Sequence, residues 1–294
     1  MPSPPVDRPS TWWLQTLQRR ALRMQDEALD LSAPITFSDA AERRAALKFF
    51  NAALRAEESG LRQAHELSEE VSAWDPTLAE VLRLYGNEEG WHRQLLTEFL
   101  SFLGGGVEPM GRVTRTLYRL YGRARRMETI VLTNLMFETI GSTTYRMALA
   151  NVKQPAARQM LCILTRDEAF HVPLNVHFML AVLQRKSKLE RLRLRALYQL
   201  LFVGLVALPL ASRPKAFAFD GIRTADLSRA YARTLAALFQ ERPELGLHPP
   251  RLLLRALGIR ERALPNEPIS VSAEAAERAA ERENVVVSEL RSAR

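Results

Sequence analysis

Residues 165–171 read TRDEAFH, and residues 88–92 read EEGWH. In each stretch an acidic residue precedes a glutamate, and a histidine follows that glutamate three positions later. Residues three apart share one face of an α-helix, so each motif can point a carboxylate and an imidazole at one ion. One such spacing is weak on its own, and two suggest a pair of metal-binding helices. The two pairs are Glu89 with His92 and Glu168 with His171.

A further glutamate lies upstream of each motif. Glu58 precedes Glu89 by 31 residues, and Glu138 precedes Glu168 by 30, so the halves are displaced by 80 and 79 residues. A helix, a turn and a returning helix bring such positions to the same depth of a bundle. The order Glu, Glu-x-x-His, Glu, Glu-x-x-His is that of a dinuclear site in a four-helix bundle. The predicted ligands are Glu58, Glu89, His92, Glu138, Glu168 and His171.

The predicted ligand set balances the charge of two divalent cations, because it has four carboxylates and two neutral imidazoles. Oxygen and nitrogen ligands of this kind favour two iron ions, with manganese as an alternative in one position. A ligating histidine usually donates its other N–H to a carboxylate. We expect the acids that precede the ligand glutamates to accept these bonds across the helices, Asp167 from His92 and Glu88 from His171.

Two polar residues repeat at the same distance from the upstream glutamates. His65 stands seven residues, or two helical turns, after Glu58, and Tyr145 stands seven residues after Glu138. Residues with this spacing share a helix face. We therefore predict that His65 and Tyr145 are hydrogen-bonding neighbours of the two carboxylates.

The rest of the chain also favours helices. Ala, Leu, Arg and Glu predominate, β-branched runs are few, and the 294 residues include only 13 glycines, which predicts an all-α protein. Asp75 and Pro76 predict the start of the EEGWH helix, and the glycines at 104–106 predict its end. Helices are predicted at 11–30, 39–72, 76–103, 127–151, 155–186, 188–211, 224–240 and 249–258.

Three segments are predicted along the chain. Residues 1–38 form an N-terminal extension with an amphipathic helix. Residues 39–264 form one domain that contains the metal site and the additional C-terminal helices. Residues 265–294 form a tail that is either flexible or helical.

The cysteine content, the N-terminal sequence and the apolar stretches of the chain bear on its cellular location. The single cysteine, Cys162, cannot form an internal disulfide, and the N-terminus lacks an apolar signal core, so we expect a cytoplasmic protein. The apolar stretch 196–211 is shorter than the roughly 20 residues of a membrane span and contains Pro209. It is therefore predicted to be a buried or surface-associated helix.

The net charge of +8 predicts attraction to acidic partners. No nucleic-acid-binding motif accompanies the basic residues, and we expect no nucleic-acid partner. Much of the charge falls in two clusters: Arg112, Arg115, Arg119, Arg123, Arg125 and Arg126, and Arg185, Lys186, Lys188, Arg191, Arg193 and Arg195.

The motifs EEGWH and DEAFH resemble those of the ferritin-like di-iron carboxylate superfamily, in its oxygen-activating branch. This branch includes acyl-carrier desaturases, aldehyde-deformylating oxygenases and arylamine N-oxygenases. The resemblance covers about residues 40–186. Desaturase-type motifs usually carry arginine before each histidine, where this chain has Trp91 and Phe170. N-oxygenases carry an additional histidine where this chain has Leu164.

The resemblance implies a ferritin-like four-helix bundle with an N-terminal helix and additional C-terminal helices. It further implies a non-heme di-iron oxidase or oxygenase that uses O2 and an external electron donor, a ferredoxin or a reductase. The expected substrate is a small organic molecule in specialised biosynthesis, free or tethered to an acidic carrier protein, and the chain is expected to form a homodimer. Related hydroxylases place a hydroxyl residue near the oxygen site at the position of Ser142, and Tyr145 is the second predicted catalytic residue.

Two other functions stay open at this point. One is a quinone-type hydroxylase at a membrane surface, in which 196–211 and the preceding basic cluster contact lipid. The other is a non-catalytic ferritin-like protein that binds or stores metal.

Overall fold

The computed structural model describes residues 8–110, 115, 126–211 and 222–260. Within these ranges the chain forms eight α-helices and a short 3-10 helix, Pro243–Leu245, and contains no strand, which confirms the predicted all-α class. The helices are α1 Ser10–Asp26, α2 Ala40–Val71, α3 Pro76–Phe102, α4 Met127–Asn151, α5 Pro155–Gln184, α6 Lys188–Ala211, α7 Thr224–Glu241 and α8 Arg251–Ala256.

Two helical hairpins make the central bundle. Residues 72–75 join α2 to α3, and residues 152–154 join α4 to α5. Short connections of this kind make neighbouring helices antiparallel. Most side chains of α5 are buried, including polar ones, so α5 lies at the centre of the packed helices. The predicted four-helix bundle is therefore formed by α2 to α5.

Local sequence fixes the ends of the hairpin helices. The Asp39 carboxylate accepts hydrogen bonds from the backbone of Ala41 and Glu42 at the start of α2. Asp75 does the same for Leu78 at the start of α3, where Pro76 occupies the first turn. Gly104 follows α3 with φ of 70°, a conformation that glycine adopts without steric cost.

The N-terminal helix α1 packs across the bundle rather than standing apart from it. Trp13 and Leu17 are buried, and the Trp13 ring meets the Phe170 ring of α5 at a centroid distance of 5.4 Å. This packing directs Arg20 toward the bundle interior, where its side chain is only 8% exposed.

The C-terminal helices extend the bundle on the side of α4. Two hydroxyl pairs join α4 to α7, Thr143 with Thr234 at 2.9 Å and Thr144 with Tyr231 at 2.5 Å. The Ser228 hydroxyl donates to the Val206 carbonyl and so joins α7 to α6. These contacts place α6 outside the four bundle helices.

In the described part of the chain, the stretch Lys188–Leu210 of α6 has the length and composition of a membrane span, and an 18-residue window within it has a mean hydropathy of 1.4. About a third of that window, 33%, is buried. The helix bears a row of exposed apolar side chains, which we call the α6 stripe: Leu189, Leu192, Leu200, Val203 and Leu210.

Several sequence-based predictions fall outside the described residues. These are the tail at 265–294 and four arginines of the first basic cluster, Arg112, Arg119, Arg123 and Arg125. The proposed domain boundaries stay predictions.

Candidate metal centre

The centre of the bundle brings together three groups of possible metal ligands among the described residues. Within each group the ligand atoms lie within 4.8 Å of one another. Two of the groups draw on three different helices each, so the bundle and not a local loop positions their ligands; these are Glu57, His92 and Glu168, and Glu89, Glu138 and His171. The third group, Glu88, His92 and Asp167, lies on α3 and α5 alone and shares His92 with the first.

Both histidines direct the same ring nitrogen toward the cluster. His92 Nδ1 lies 3.1 Å from Glu57 Oε2, and His171 Nδ1 lies 3.1 Å from Glu89 Oε1. The two ring centroids are 5.8 Å apart. Nδ1 is therefore the nitrogen of each ring that is available to a metal ion.

The opposite nitrogens meet the acids that precede the ligand glutamates. His92 Nε2 lies 3.1 Å from Asp167 Oδ2, and His171 Nε2 lies 3.7 Å from Glu88 Oε2. Both pairs run between α3 and α5, as the sequence predicted. A carboxylate on Nε2 orients the ring and favours the tautomer with a free Nδ1 lone pair.

The sequence-based assignment of Glu58 is wrong, because the neighbouring Glu57 occupies its place. The Glu57 side chain is 1% exposed, whereas that of Glu58 is 39% exposed and lies 2.6 Å from Arg55. After Phe50 the buried face of α2 continues through Glu57, Ala64 and Val71 at seven-residue steps. Steps of three and four residues both fit a helix face, so spacing alone did not separate Glu57 from Glu58.

Two tyrosines hold the upstream glutamates. Tyr145 on α4 donates its hydroxyl to Glu57 Oε1 at 2.9 Å, and Tyr85 on α3 donates to Glu138 Oε1 at 2.6 Å. The sequence pointed to Tyr145 as a hydrogen-bonding partner, although of the other upstream glutamate. Tyr85 was missed, and its position one helical turn before Glu89 was the available signal.

The other two predicted polar neighbours do not join the cluster. The Ser142 hydroxyl is buried and accepts a hydrogen bond from Arg146 at 3.4 Å. His65 is half-buried against Gly86 and makes no hydrogen bond or ion pair within the described residues. His65 lies seven residues after Glu58 and therefore on the face of α2 that carries Glu58, not Glu57. The prediction for His65 is wrong for the same reason as that for Glu58.

Three arginines surround the acids behind the histidines, and the sequence reading did not anticipate them. Arg20 contacts both Glu88 and Asp167, while Arg23 Nη2 lies 3.0 Å from Asp167 Oδ1. Arg166 contacts Asp167 and also Glu27. Burial alone raises the pKa of Asp167, but Arg166, Arg20 and Arg23 hold that pKa well below its usual value.

Two of the ligand carboxylates, Glu89 and Glu168, lack such compensation, whereas burial raises the pKa of Glu138 but hydrogen bonds with Glu168, His171 and Tyr85 lower it overall. Burial raises the pKa of Glu89, and the charges of Glu57 and Glu138 raise it further. Burial and the charge of Glu138 likewise raise the pKa of Glu168. Glu89 and Glu168, buried beside other carboxylates, therefore favour uptake of positive charge, as protons or as cations.

Unpaired ligand atoms show that the residues fit two metal ions. Glu89 Oε1, Glu168 Oε2 and His171 Nδ1 face the cluster, are buried and make no hydrogen bond within the described part of the chain. Buried polar atoms without partners are costly, and a coordinated cation would satisfy them. Two divalent cations also balance the four carboxylates, so Glu57, Glu89, His92, Glu138, Glu168 and His171 are the residues that would hold them.

The close approach of α2 to α3 at the cluster depends on Gly60. A Cβ atom added at Gly60 would lie 2.9 Å from Glu89 Oε2, whereas one added at Gly90 would make an ordinary 3.5 Å contact with Leu61. We expect Gly60→Ala to displace the Glu89 carboxylate and weaken metal affinity about 10–100-fold.

Gly90→Ala is the matched control for Gly60→Ala. It should leave metal affinity unchanged and stabilise the helix by about 0.5–1 kcal/mol, because alanine has the higher helix propensity. Isothermal titration with Mn²⁺ and thermal unfolding measure both quantities. Equal metal affinity in the two variants would contradict the assigned contact.

Comparison with known proteins supports the fold at low sequence identity. No protein-family model and no curated protein sequence matches this chain. A solved structure described as protein 19 with aldehyde deformylating oxidase activity from Synechococcus is similar to it, with a TM-score of 0.54 and 19% identity. The similarity covers 84% of this chain and 100% of that chain. It confirms the ferritin-like helical bundle that the two motifs predicted.

Proposed function

We propose that this protein is an O2-dependent non-heme di-iron oxidase or oxygenase that acts on a small organic substrate. The observation that carries the proposal is the pair of buried carboxylate and imidazole groups at the centre of the bundle, with ligand atoms that lack partners. The similar structure from Synechococcus is described as having aldehyde deformylating oxidase activity, which supports an oxygen-using enzyme on this fold.

The ligand types support the choice of metal. The two groups offer only carboxylate oxygens and imidazole nitrogens, a set that suits iron or manganese better than metals that prefer thiolates. Two iron ions held there would supply reductive activation of O2, with electrons from an external ferredoxin or reductase. The protein's own part is to hold the ligands and keep the surroundings dry.

Four of the six proposed ligands are held by a defined neighbour. Tyr145 and Tyr85 orient Glu57 and Glu138, and the acids behind the histidines orient the rings. Such support fixes the open coordination positions where O2 and substrate can react. Proton delivery by Tyr145 or Ser142 is part of this proposal, since Tyr145 contacts a ligand glutamate and Ser142 lies one turn from Glu138.

The face of α4 gives the cluster its nearest approach to solvent. Glu138 is 11% exposed, more than Glu57, Glu89 or Glu168. The preceding Phe137 is 36% exposed, and a Cβ added at Gly141, nearly one turn later, would meet no described atom within 4 Å. We place substrate access along this face.

The test begins with metal stoichiometry. Anaerobic loading with Fe²⁺ should give two ions per chain, and admission of O2 should produce a transient absorption band between the near ultraviolet and the visible. Less than one tightly bound metal ion per chain would end the proposal. Glu138→Ala should lose metal, since Glu138 belongs to one of the two ligand groups.

Substrate turnover then separates an enzyme from a storage protein. Aldehydes are the first probe, because the similar structure is described by that activity, and formate release measures it. An acyl chain on an acidic carrier protein is the second probe, chosen for the net charge of +8. Oxidation of many iron ions per chain without any organic product would favour a storage role instead.

The α6 stripe supports a second candidate function, an enzyme that works at a membrane surface. Leu200 is 71% exposed and Val203 is 47% exposed, and four exposed cations stand at the beginning of the same helix. An apolar face beside cationic residues suits a surface of anionic lipid. The four cations are Lys188, Arg191, Arg193 and Arg195.

Co-sedimentation with phosphatidylglycerol vesicles tests the membrane function. The protein should pellet with these vesicles at low salt, and a Leu200→Gln, Val203→Gln variant should stay in the supernatant. Leu252→Gln, which changes an 80% exposed leucine on α8, is the control and should pellet. Recovery of all the unmodified protein in the supernatant rejects this function, and concentration-dependent dimers in that supernatant would assign the stripe to a second copy.

A further inference from the structure

We infer that Arg20 of the N-terminal helix is a positioning residue for both histidines of the metal centre. This inference rests on the proposed function, because it concerns the metal that the centre would bind. Arg20 lies outside the four helices that provide the ligands, on α1. Its role follows from the contacts of its guanidinium group with two buried acids.

One guanidinium joins the two acids that lie behind the histidines. Arg20 Nε donates to both oxygens of Glu88, at 3.1 and 3.2 Å. Arg20 Nη2 donates to Glu88 Oε1 at 2.5 Å and to Asp167 Oδ1 at 2.7 Å. Glu88 belongs to α3 and Asp167 to α5, so this single side chain ties together the two motif helices.

Each of these acids faces one imidazole. Asp167 Oδ2, which also accepts from Arg166 Nη2, lies 3.1 Å from His92 Nε2, and Glu88 Oε2 lies 3.7 Å from His171 Nε2. Rotation of Asp167 would therefore turn the His92 ring that it holds and move the ligating Nδ1, and rotation of Glu88 would shift the carboxylate that faces His171 Nε2 as an ion pair without a hydrogen bond. Because Arg20 contacts both acids, it positions the two carboxylates that orient the rings.

The other two arginines do not share this position. Arg166 contacts Asp167 and Glu27, and Arg23 reaches Glu88 only at 3.9 Å while its side chain is 26% exposed. Arg20 also stacks on an aromatic ring, since its guanidinium lies 4.3 Å from the centroid of the Phe170 ring. Phe170 immediately precedes His171, so the aromatic ring supports the cation at the level of the ligand.

The forked shape of the guanidinium is essential to this role. Arginine presents several donors in one plane and can bond two carboxylates at once, whereas the lysine ammonium is a compact charge on a flexible stem. Arg20→Lys keeps the positive charge between the buried acids but loses the fixed geometry. Arg20→Gln removes the charge and leaves Glu88 and Asp167 less compensated. The pair of variants therefore separates positioning from charge compensation.

The experiment uses Co²⁺ as the probe, because its visible bands report ligand geometry. Arg20→Gln should raise the dissociation constant for Co²⁺ about 10–100-fold, as losses behind ligating histidines do. Arg20→Lys should show a smaller rise and a changed Co²⁺ spectrum, with a metal-free melting temperature close to that of the parent. Arg19→Gln is the control and should match the parent, since Arg19 is exposed and donates to Thr16.

Two results would overturn the inference. The first is an Arg20→Lys variant with the parent's Co²⁺ affinity and spectrum. The second is a lower metal-free melting temperature in both Arg20 variants with unchanged Co²⁺ affinity and spectrum, which would assign Arg20 a structural role alone. A parent protein that binds no Co²⁺ would instead contradict the proposed metal centre, so the two failures are distinguishable.

Discussion

Glu57→Ala is expected to remove one of the two metal ions, whereas Glu58→Ala is expected to retain both. The Glu57 carboxylate lies within one ligand group, 3.1 Å from His92 Nδ1. The Glu58 carboxylate is paired with Arg55 at 2.6 Å and lies 3.8 Å from Arg93, at a partly exposed position. Loss of an exposed ion pair changes stability little, by about 0.5 kcal/mol or less.

Adjacent glutamates on the same helix make this a closely matched comparison. Elemental analysis after Mn²⁺ or Fe²⁺ loading should give about one ion per chain for Glu57→Ala and two for Glu58→Ala, the values that one or both intact ligand groups imply. Turnover with any substrate found should fall to background only in Glu57→Ala. The opposite order of metal loss would restore the assignment that the spacing of the motifs first suggested.

Glu168→Gln is expected to stabilise the metal-free protein and to abolish its stabilisation by metal. Glu168 Oε2 is buried and has no hydrogen-bond partner within the described residues, and the nearby Glu138 carboxylate raises the pKa that burial has already raised. A neutral amide at this position carries no charge for the Glu138 carboxylate to repel, and it can donate a hydrogen bond to that carboxylate. We expect the free energy of unfolding in EDTA to rise by about 1–3 kcal/mol.

Metal should reverse this order. A ligand at 100 times its dissociation constant stabilises a folded protein by about 2.7 kcal/mol, which the unmodified chain should gain and Glu168→Gln should not. Urea unfolding with EDTA and with Mn²⁺ measures both values. Glu66→Gln, at a position 61% exposed, is the control and should match the parent under both conditions. A Glu168→Gln protein that is less stable than the parent in EDTA would contradict the claim that the Glu168 carboxylate destabilises the metal-free protein.

Whether Glu168→Gln is more stable than the unmodified protein without metal, and less stable with it, bears directly on function. A protein that keeps mutually repelling carboxylates in its core sacrifices stability in the metal-free state. Such a cost is understandable when the same groups bind cations and is hard to reconcile with a purely structural bundle. The stability comparison therefore tests the metal centre without requiring knowledge of the substrate.

Sequence periodicity by itself determined the bundle and most of the candidate ligand set. The two Glu-x-x-His motifs needed only the geometry of a single helix, in which residues three apart share a face. Their order along the chain required two hairpins, and the structure has them in α2 with α3 and in α4 with α5. Even the crossed pairs of Asp167 with His92 and Glu88 with His171 followed from this arrangement.

Tertiary structure alone decided between Glu57 and Glu58 and recruited Arg20. A helix face is wide enough to include either glutamate, and the rotation of α2 about its axis is set by packing, including the approach of α3 at Gly60. Arg20 lies 68 residues from Glu88 and 147 from Asp167, and α1 carries no motif that links it to either acid. Contacts between distant segments arise from packing, which sets the rotation of α2 and brings α1 to the site. No local pattern in the sequence predicts such contacts.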